Sequence, residues 1–529
     1  MRTSARPCCG PPTASLLRRL VSTLAIRLHF ITKGFTDAMR QSGILLHITS
    51  LPSPGGIGTL GKEAYAFVDF LHDAGMRIWQ VLPVSPTGFG DSPYQSVSTY
   101  AGNPLMIDLP MLEKEAILPN GIAPLVSKTE DAVDYGMVYT YKMSVLRKAF
   151  AHAHSKLSGA LARFQAEHPW VEDYALFSAV KEHFGMLSWM AWPDEAIRMR
   201  KKEAMAAYKE QLADLTAFYV FIQYLFFRQW MRLKNYANRK GVLIFGDMPI
   251  YVAEDSADVW TNPEVFLLDE TRRPISVAGV PPDFFSRDGQ RWGNPLYNWA
   301  YLAQTRYAWW IDRLSAAGML YDIVRIDHFI GFANYYAIPA SETTARNGVW
   351  KRGPGKPFLR AVKKQLPELR IVAEDLGAVN KRVLDLMRYA GYPGMKILTF
   401  AFGGNPGSTH LPQNYEANSV VYTGTHDNST ARGWYEATSE AERAFARKML
   451  HLKPEDDLPK ALVRAALISV ANTAVIPMQD ILGLPDTARM NIPGTVGGNW
   501  LWRMRSGLLT DELSGKLRSL NILSGRATS

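Results

Sequence analysis

A (β/α)8 barrel of the α/β class, with helical and loop insertions between its early strands, is the fold this sequence predicts. Three observations predict it. Eight short apolar runs recur along the chain, at residues 43–48, 78–84, 241–247, 323–327, 371–374, 395–400, 420–423 and 474–477. Helical patterns separate most of them, which implies crossover connections and a parallel sheet covered on both faces. Three of the later runs end in bare carboxylates, Asp327, Glu374 and Asp427, as happens where side chains gather at the C-terminal mouth of a barrel. An open doubly wound sheet is the competing arrangement.

The elements follow in order. Gly43-Ile-Leu-Leu-His-Ile48 runs into Thr-Ser-Leu-Pro, a glycine-rich turn and an amphipathic stretch over 63–74 closed by Gly75, which reads as strand, loop, helix and cap. Ile78-Trp-Gln-Val-Leu-Pro-Val84 is the second strand. Regular alternation then stops. Residues 85–240 hold Gly/Ser/Pro loops, helical patterns over 138–154 and 174–183, and one long helix over 203–240 whose centre is Phe218-Tyr-Val-Phe-Ile-Gln-Tyr-Leu-Phe-Phe227. The uncharged span is too short for a bilayer, so this helix is expected to be buried, and 85–240 to project as an insertion subdomain. Alternation resumes at Gly241-Val-Leu-Ile-Phe-Gly-Asp247 and supplies the other six strands. Repeats and low-complexity tracts are absent.

With 529 residues and 47% hydrophobic content, residues 39–529 can bury a large core as a single domain. The net charge of +10 suggests a polyanion, but Arg2, Arg6, Arg18, Arg19, Arg27 and Lys33 all precede the first acid, Asp37, which leaves about +4 for the rest. Later cations interleave with acids, as in Arg198-Met-Arg-Lys-Lys-Glu203. They read as solvated helix faces, so no nucleic-acid partner is expected. Residues 1–38 are read as a disordered basic extension. Their apolar run over 20–31 is broken by Arg27 and is too short and too charged to span a membrane. The stretch fits a transit peptide, implying a plastid, or an upstream translated extension with Met39 as the start. Cys8 and Cys9 are the only cysteines, so nothing after them can form a disulfide or thiolate metal site, which favours a reducing, cytoplasmic setting. The eleven histidines show no ligand spacing, and neither metal nor cofactor is expected.

Arg325 precedes Asp327 by two residues, so on a strand both point to one face, and the guanidinium should lower the carboxyl's pKa. Glu374 ends its own run beside Asp375, where like charge or apolar walls can raise its pKa into the range of an acid. His426 and Asp427 offer the donor and acceptor pair that suits a diol. Two carboxyls about 5–5.5 Å apart are what a retaining glycosidic-bond enzyme needs. Taken singly, the three segments also read as a strand-end ion pair, a helix N-cap at Asp375 and a turn. Aromatic residues in loops at the same mouth suit pyranose faces: Tyr94, the Phe284-Phe285 pair and Trp292. Tyr297 and Trp299 read as packing residues.

Together these segments resemble one family. Gly90-Asp-Ser-Pro-Tyr-Gln-Ser96, Gly246-Asp-Met-Pro-Ile-Tyr-Val-Ala-Glu-Asp-Ser256, Val280-Pro-Pro-Asp-Phe-Phe285, Gly289-Gln-Arg-Trp-Gly-Asn-Pro295, Arg325-Ile-Asp-His-Phe329, Ala373-Glu-Asp-Leu-Gly377, Gly424-Thr-His-Asp-Asn428 and Asn491-Ile-Pro-Gly-Thr495 are similar to the amylomaltase (4-α-glucanotransferase, disproportionating enzyme) family. The likeness covers residues 43–503, in order, in the family's compact form. It implies a barrel related to α-amylases that acts on α-1,4-glucans and maltooligosaccharides, with a hydrolytic α-amylase-like glycosidase as the alternative. Carried over, Asp327 is the nucleophile, Glu374 the acid/base, and Asp427 with His426 binds the donor sugar. Arg325 orients the nucleophile, Tyr94, Asp247 and Trp292 line sugar subsites, and residues 280–295 arch over the cleft as a lid. Two departures stand out. Gly403 and Gly404 follow Phe400-Ala-Phe402 where some members have acids, and Phe89 replaces a tyrosine that serves a remote glucan site in some members.

Overall fold

The computed structural model describes residues 40–127, 129–282, 286–377 and 379–528. The expectations for residues 1–38, for Phe284 and Phe285 and for the side chain of Phe89 therefore lie outside the described residues. Among those described, twelve strands form. In chain order they are β1 (Gln41–Leu45), β2 (Ile78–Gln80), β3 (Leu243–Pro249), β4 (Ser276–Val280), β5 (Gln290–Pro295), β6 (Ile323–Asp327), β7 (Asn334–Pro339), β8 (Val349–Arg352), β9 (Ile371–Ala373), β10 (Gly394–Ile397), β11 (Ser419–Tyr422) and β12 (Thr473–Pro477).

Eight of them pair in the order β10-β11-β12-β1-β2-β3-β6-β9. Every ladder in this sheet is parallel. The outermost strands meet where Ala373 N–H donates to Pro393 O (2.9 Å) and Met395 N–H to Asp375 Oδ1 (2.8 Å). These bonds bring the sheet nearly into a closed barrel, and the eight expected strands are its staves. Asp375 thus serves the barrel seam, and the next helix, Lys381–Ala390, is capped by Asn380.

Three strands end early: β1 stops at Leu45, before the 3-10 turn Ile48–Ser50, and two others have a clear local cause. After Gln80 the chain leaves the ladder before Pro83, which has no N–H to give, and after Ile397 the residues Leu398–Phe400 form a 3-10 turn. The expected single helix over 203–240 is two, Lys202–Gln211 and Ala213–Arg239, separated by Leu212 at φ −107° and ψ 25°. The first buries none of its residues, while the second buries most of its central turns, so the two answer to different surroundings.

Within the apolar centre of Ala213–Arg239, two buried glutamines tie this helix to the loop residues that follow β2, at the start of the insertion. Gln223 accepts from Gly102 N–H (2.8 Å) and donates to Gly102 O (2.9 Å). Gln229 does the same at Asp108 (2.7 and 3.0 Å). Each amide satisfies a peptide unit that would otherwise be buried without a partner.

Gly56-Ile-Gly58-Thr-Leu-Gly61, between β1 and the helix Lys62–Asp73, has the spacing of a dinucleotide-binding turn. Packing accounts for two of these glycines. A Cβ on Gly58 would lie 1.8 Å from Ile48 O, and one on Gly61 would lie 2.0 Å from an Asp108 carboxylate oxygen.

The sequence reading missed a second sheet, antiparallel, in the order β5-β4-β7-β8. Its strands are short and include Gly279 and Gly293, and β8 is exposed throughout, so no clean alternation marks them. The 280–295 segment, read as an arching loop, is in its second part the strand β5.

Candidate active site

Strand register assembles the site. β3 and β6 pair with Asp247 opposite Arg325 and Pro249 opposite Asp327. β6 and β9 pair with Ile326 opposite Ala373, so Glu374, one residue further on, comes beside Asp327. Its N–H donates to Ile326 O (3.1 Å). Gly246 permits this arrangement, because a Cβ there would meet the Tyr321 ring at 2.1 Å.

Arg325 is buried and holds two carboxylates. Its Nη1 donates to both oxygens of Asp247 (2.8 and 2.6 Å), and its Nη2 reaches Asp327 Oδ1 (2.9 Å). Tyr94 OH donates to Asp247 Oδ2 (2.8 Å). The Tyr94 ring stacks on His426, with centroids 5.2 Å apart and planes 14° apart. His426 Nε2 lies 3.3 Å from Asp427 Oδ2. Six of the expected residues, Tyr94, Asp247, Arg325, Asp327, His426 and Asp427, thus form one connected network drawn from four segments.

Glu374 sits on the other side of Asp327, 7% exposed. Its Oε2 accepts from His328 N–H (2.6 Å) and its Oε1 from Leu376 N–H (2.7 Å). Trp292 joins the site through His328: the two rings meet edge to face at 5.0 Å and 88°. Tyr297 and Trp299, by contrast, are packing residues. Tyr297 is 1% exposed and donates to Ile250 O (2.7 Å), and Trp299 packs against Trp310.

Burial dominates the titration of both central carboxyls. It pushes Glu374 up to about 8, against the lowering pull of Arg325 and the two backbone N–H donors, with Asp327 adding a further raising effect. It also raises Asp327, to about 6, even though Arg325 and His426 pull it down. Proximity to Arg325 alone would lower it. However, Asp247 takes two of the Arg325 hydrogen bonds, and Asp247 and Asp427 both oppose a further negative charge. Both carboxyls are thus raised by burial, and Arg325, bonded to Asp327 at 2.9 Å, favours the ionised form there.

Several contributors were not foreseen. His328, within the Arg325–Phe329 motif, adopts a left-handed backbone (φ 50°, ψ 43°) that turns its N–H toward Glu374. Asn491 Nδ2 donates to Asp427 Oδ1 (2.6 Å), and Arg489 Nη2 donates to Asp427 O (2.6 Å). Trp500 packs on both Tyr94 and His426. His328 and Asn491 lay inside recognised motifs; Arg489 and Trp500 carried no signal of their own. Among the described residues, no group of three or more His, Cys, Asp or Glu side chains could hold a metal ion, and no helix is long and apolar enough to cross a membrane.

Comparison with known proteins places this geometry. Residues 46–510 match the sequence profile of the 4-alpha-glucanotransferase family. The chain belongs to that family. The 4-alpha-glucanotransferase of Clostridium butyricum is 45% identical over 486 residues, covering 91% of this chain and all of that protein. The 4-alpha-glucanotransferase of Thermus thermophilus is 47% identical over 495 residues, covering 91% of this chain and 98% of that protein. Among solved structures, an amylomaltase from Streptococcus agalactiae in complex with acarbose superposes with a TM-score of 0.91 at 42% identity, covering 92% of this chain and all of that one. The 4-alpha-glucanotransferase fold is therefore present nearly end to end.

Proposed function

We propose that this chain is a 4-α-glucanotransferase that moves α-1,4-glucan segments from a donor to the 4-hydroxyl of an acceptor glucan or glucose by double displacement with retention. The observation that carries this reading is the pairing of Asp327, held by Arg325 (2.9 Å), with Glu374, buried beside it across the β6–β9 register where burial raises its carboxyl's pKa. Family membership supports it.

Asp327 attacks the anomeric carbon of the donor while Glu374 gives its proton to the departing glycosidic oxygen, leaving a covalent β-glucosyl enzyme. With its proton gone, Glu374 is the base that takes the proton of the acceptor's 4-hydroxyl as that oxygen attacks the same carbon from the opposite side. Arg325 and Asp247 fix the nucleophile's direction. Asp427 and His426 hold donor-ring hydroxyls, tightening as positive charge develops on the ring, and Tyr94 lines the donor subsite over Asp247. Trp292, joined to Glu374 through His328, is the stacking surface for the acceptor. The lid expected over it is represented among the described residues by β5, and residues 39–529 act as one catalytic domain with 85–240 as its insertion. The cysteine usage supports a cytoplasmic setting, with a plastid as the alternative if residues 1–38 are a transit peptide.

The roles are tested by trapping. In Glu374→Gln, a glycosyl fluoride donor, whose leaving group needs little protonation, should still load the enzyme, and peptide mass mapping should find the sugar on Asp327. Asp327→Asn should lose about 10⁴-fold or more in turnover with its fold intact. An adduct on Glu374, or near-normal turnover in Asp327→Asn, would overturn the assignment.

A further inference from the structure

Trp500 lies in an irregular segment after β12, yet it is held in an unusual way. Its φ is +66°, in the left-handed region where a bulky side chain is strained. Its N–H donates to Met490 O (2.6 Å), and its carbonyl accepts from Tyr135 OH (3.1 Å) on the insertion helix Tyr135–Ala153. Such strain persists only where the surroundings over-determine the conformation, and it gathers at functional sites.

The indole is 5% exposed. It packs against Tyr94 at 5.7 Å and against His426 at 5.9 Å, tilted 38° to each, while those two rings stack on each other. The three rings close a triangle. From one corner, Tyr94 leads through Asp247 and Arg325 to Asp327. From another, His426 leads to Asp427.

We propose that Trp500 is a positioning residue for the donor subsite: by packing on both rings it fixes Tyr94 and His426 relative to one another, and so sets Asp427 against the Asp247–Arg325–Asp327 chain. The inference rests on the donor-site roles proposed above. A ring free to tilt at either corner moves a sugar ligand by a fraction of an ångström, and small misplacements of such groups carry large costs in rate.

The test is a double-mutant cycle on kcat/KM for maltotriose disproportionation, using wild type, Trp500→Leu, His426→Ala and the double variant. Trp500→Leu should lose about 10- to 100-fold, and Trp500→Phe, which keeps an aromatic ring, no more than about 3-fold. In the His426→Ala background the further loss from Trp500→Leu should be at least about 3-fold smaller, because one of its two levers is gone. Equal losses in both backgrounds, or unchanged kcat/KM in Trp500→Leu, would overturn the inference. Should Trp500→Leu fail to fold, Tyr135→Phe removes only the hydroxyl that holds the Trp500 carbonyl. It should lower kcat/KM about 2- to 5-fold in the wild type and by a smaller factor in His426→Ala, where only the Tyr94 contact remains; no loss in the wild type, or the same loss in both, would overturn the proposal. His426→Ala alone reads the donor-site roles separately: near-normal turnover there overturns those roles and this inference with them, whereas a crippled His426→Ala with additive losses overturns this inference only.

Discussion

Asp327 and Glu374 lie side by side across the β6–β9 register, and their unequal titration has two measurable consequences. The first is in rate. With Asp327 ionised as the proposed nucleophile and Glu374 protonated as the proposed acid, kcat/KM should be bell-shaped, falling as pH drops through about 6 and as it rises through about 8. A flat profile from pH 5 to about pH 9 would contradict these states. The second is in stability. Glu374 is raised from its ordinary 4.5, so between that value and about 8 the folded chain keeps a proton that the unfolded chain has released, and stability falls as pH rises through this window. Glu374→Gln removes that penalty. It should be stabilised by about 1–3 kcal/mol at pH 8 and scarcely at all at pH 4, where the carboxyl is protonated in both states; chemical denaturation at the two pH values would show it. Nearly every polar group of the network was legible in the sequence, because each ends an apolar run or sits in a tight motif. The net direction at Asp327 was not, since it depends on how Arg325 divides its hydrogen bonds between Asp247 and Asp327. Trp500 was equally hidden: its neighbours Tyr94 and His426 are remote in sequence, and it lies in neither strand nor helix.

At the scale of elements, the barrel strands were readable because a strand buried on both faces leaves an unbroken Val/Ile/Leu run. The antiparallel sheet β5-β4-β7-β8 was not, since its short strands carry glycines and one exposed edge. That sheet reaches the site through Trp292 on β5, whose contact with His328 links it to Glu374. If Trp292 stacks the acceptor ring, Trp292→Ala should weaken acceptor binding by about 1–2 kcal/mol. Water has no stacking contact to lose, so the ratio of transfer to hydrolysis should fall about 5- to 30-fold. Separate measurement of released reducing ends and of transferred glucose units reads this ratio. An unchanged ratio would move the acceptor site to other residues.

For the whole molecule, residues 40–529 form one compact unit, and an arginine near each end of it braces the same region. Arg40 Nη1 donates to Ser524 O (2.8 Å) and its Nη2 to Leu467 O (3.1 Å). Arg526, 1% exposed, spreads its donors over the carbonyls of Gln41 (2.7 Å), Leu467 (2.6 Å) and Ala471 (2.8 Å). The two arginines join β1, the segment 467–471 that leads into β12, and the end of the final helix Asp511–Leu523 at the base of the barrel. A chain begun at Met39 keeps Arg40, and its Tm should stay within about 2 °C of the full chain's with activity retained. A chain begun at Gln41 loses the Arg40 bonds, the one to Ser524 O without replacement while Leu467 O keeps Arg526, and should melt about 1–3 °C below the chain begun at Met39. Scanning calorimetry on the two truncated chains separates the cases. A large loss already in the Met39 chain would show that residues 1–38 contribute to the fold.

The central claim, transfer of glucan segments and not their hydrolysis, is tested most directly with maltotriose as the only substrate. Each transfer breaks one α-1,4 bond and makes another, so the products should be glucose and a ladder of longer maltooligosaccharides, with total reducing ends nearly constant throughout. Glucose and maltose alone, with reducing ends rising steadily in step with bonds broken, would mean that water and not sugar resolves the intermediate, and would contradict the account.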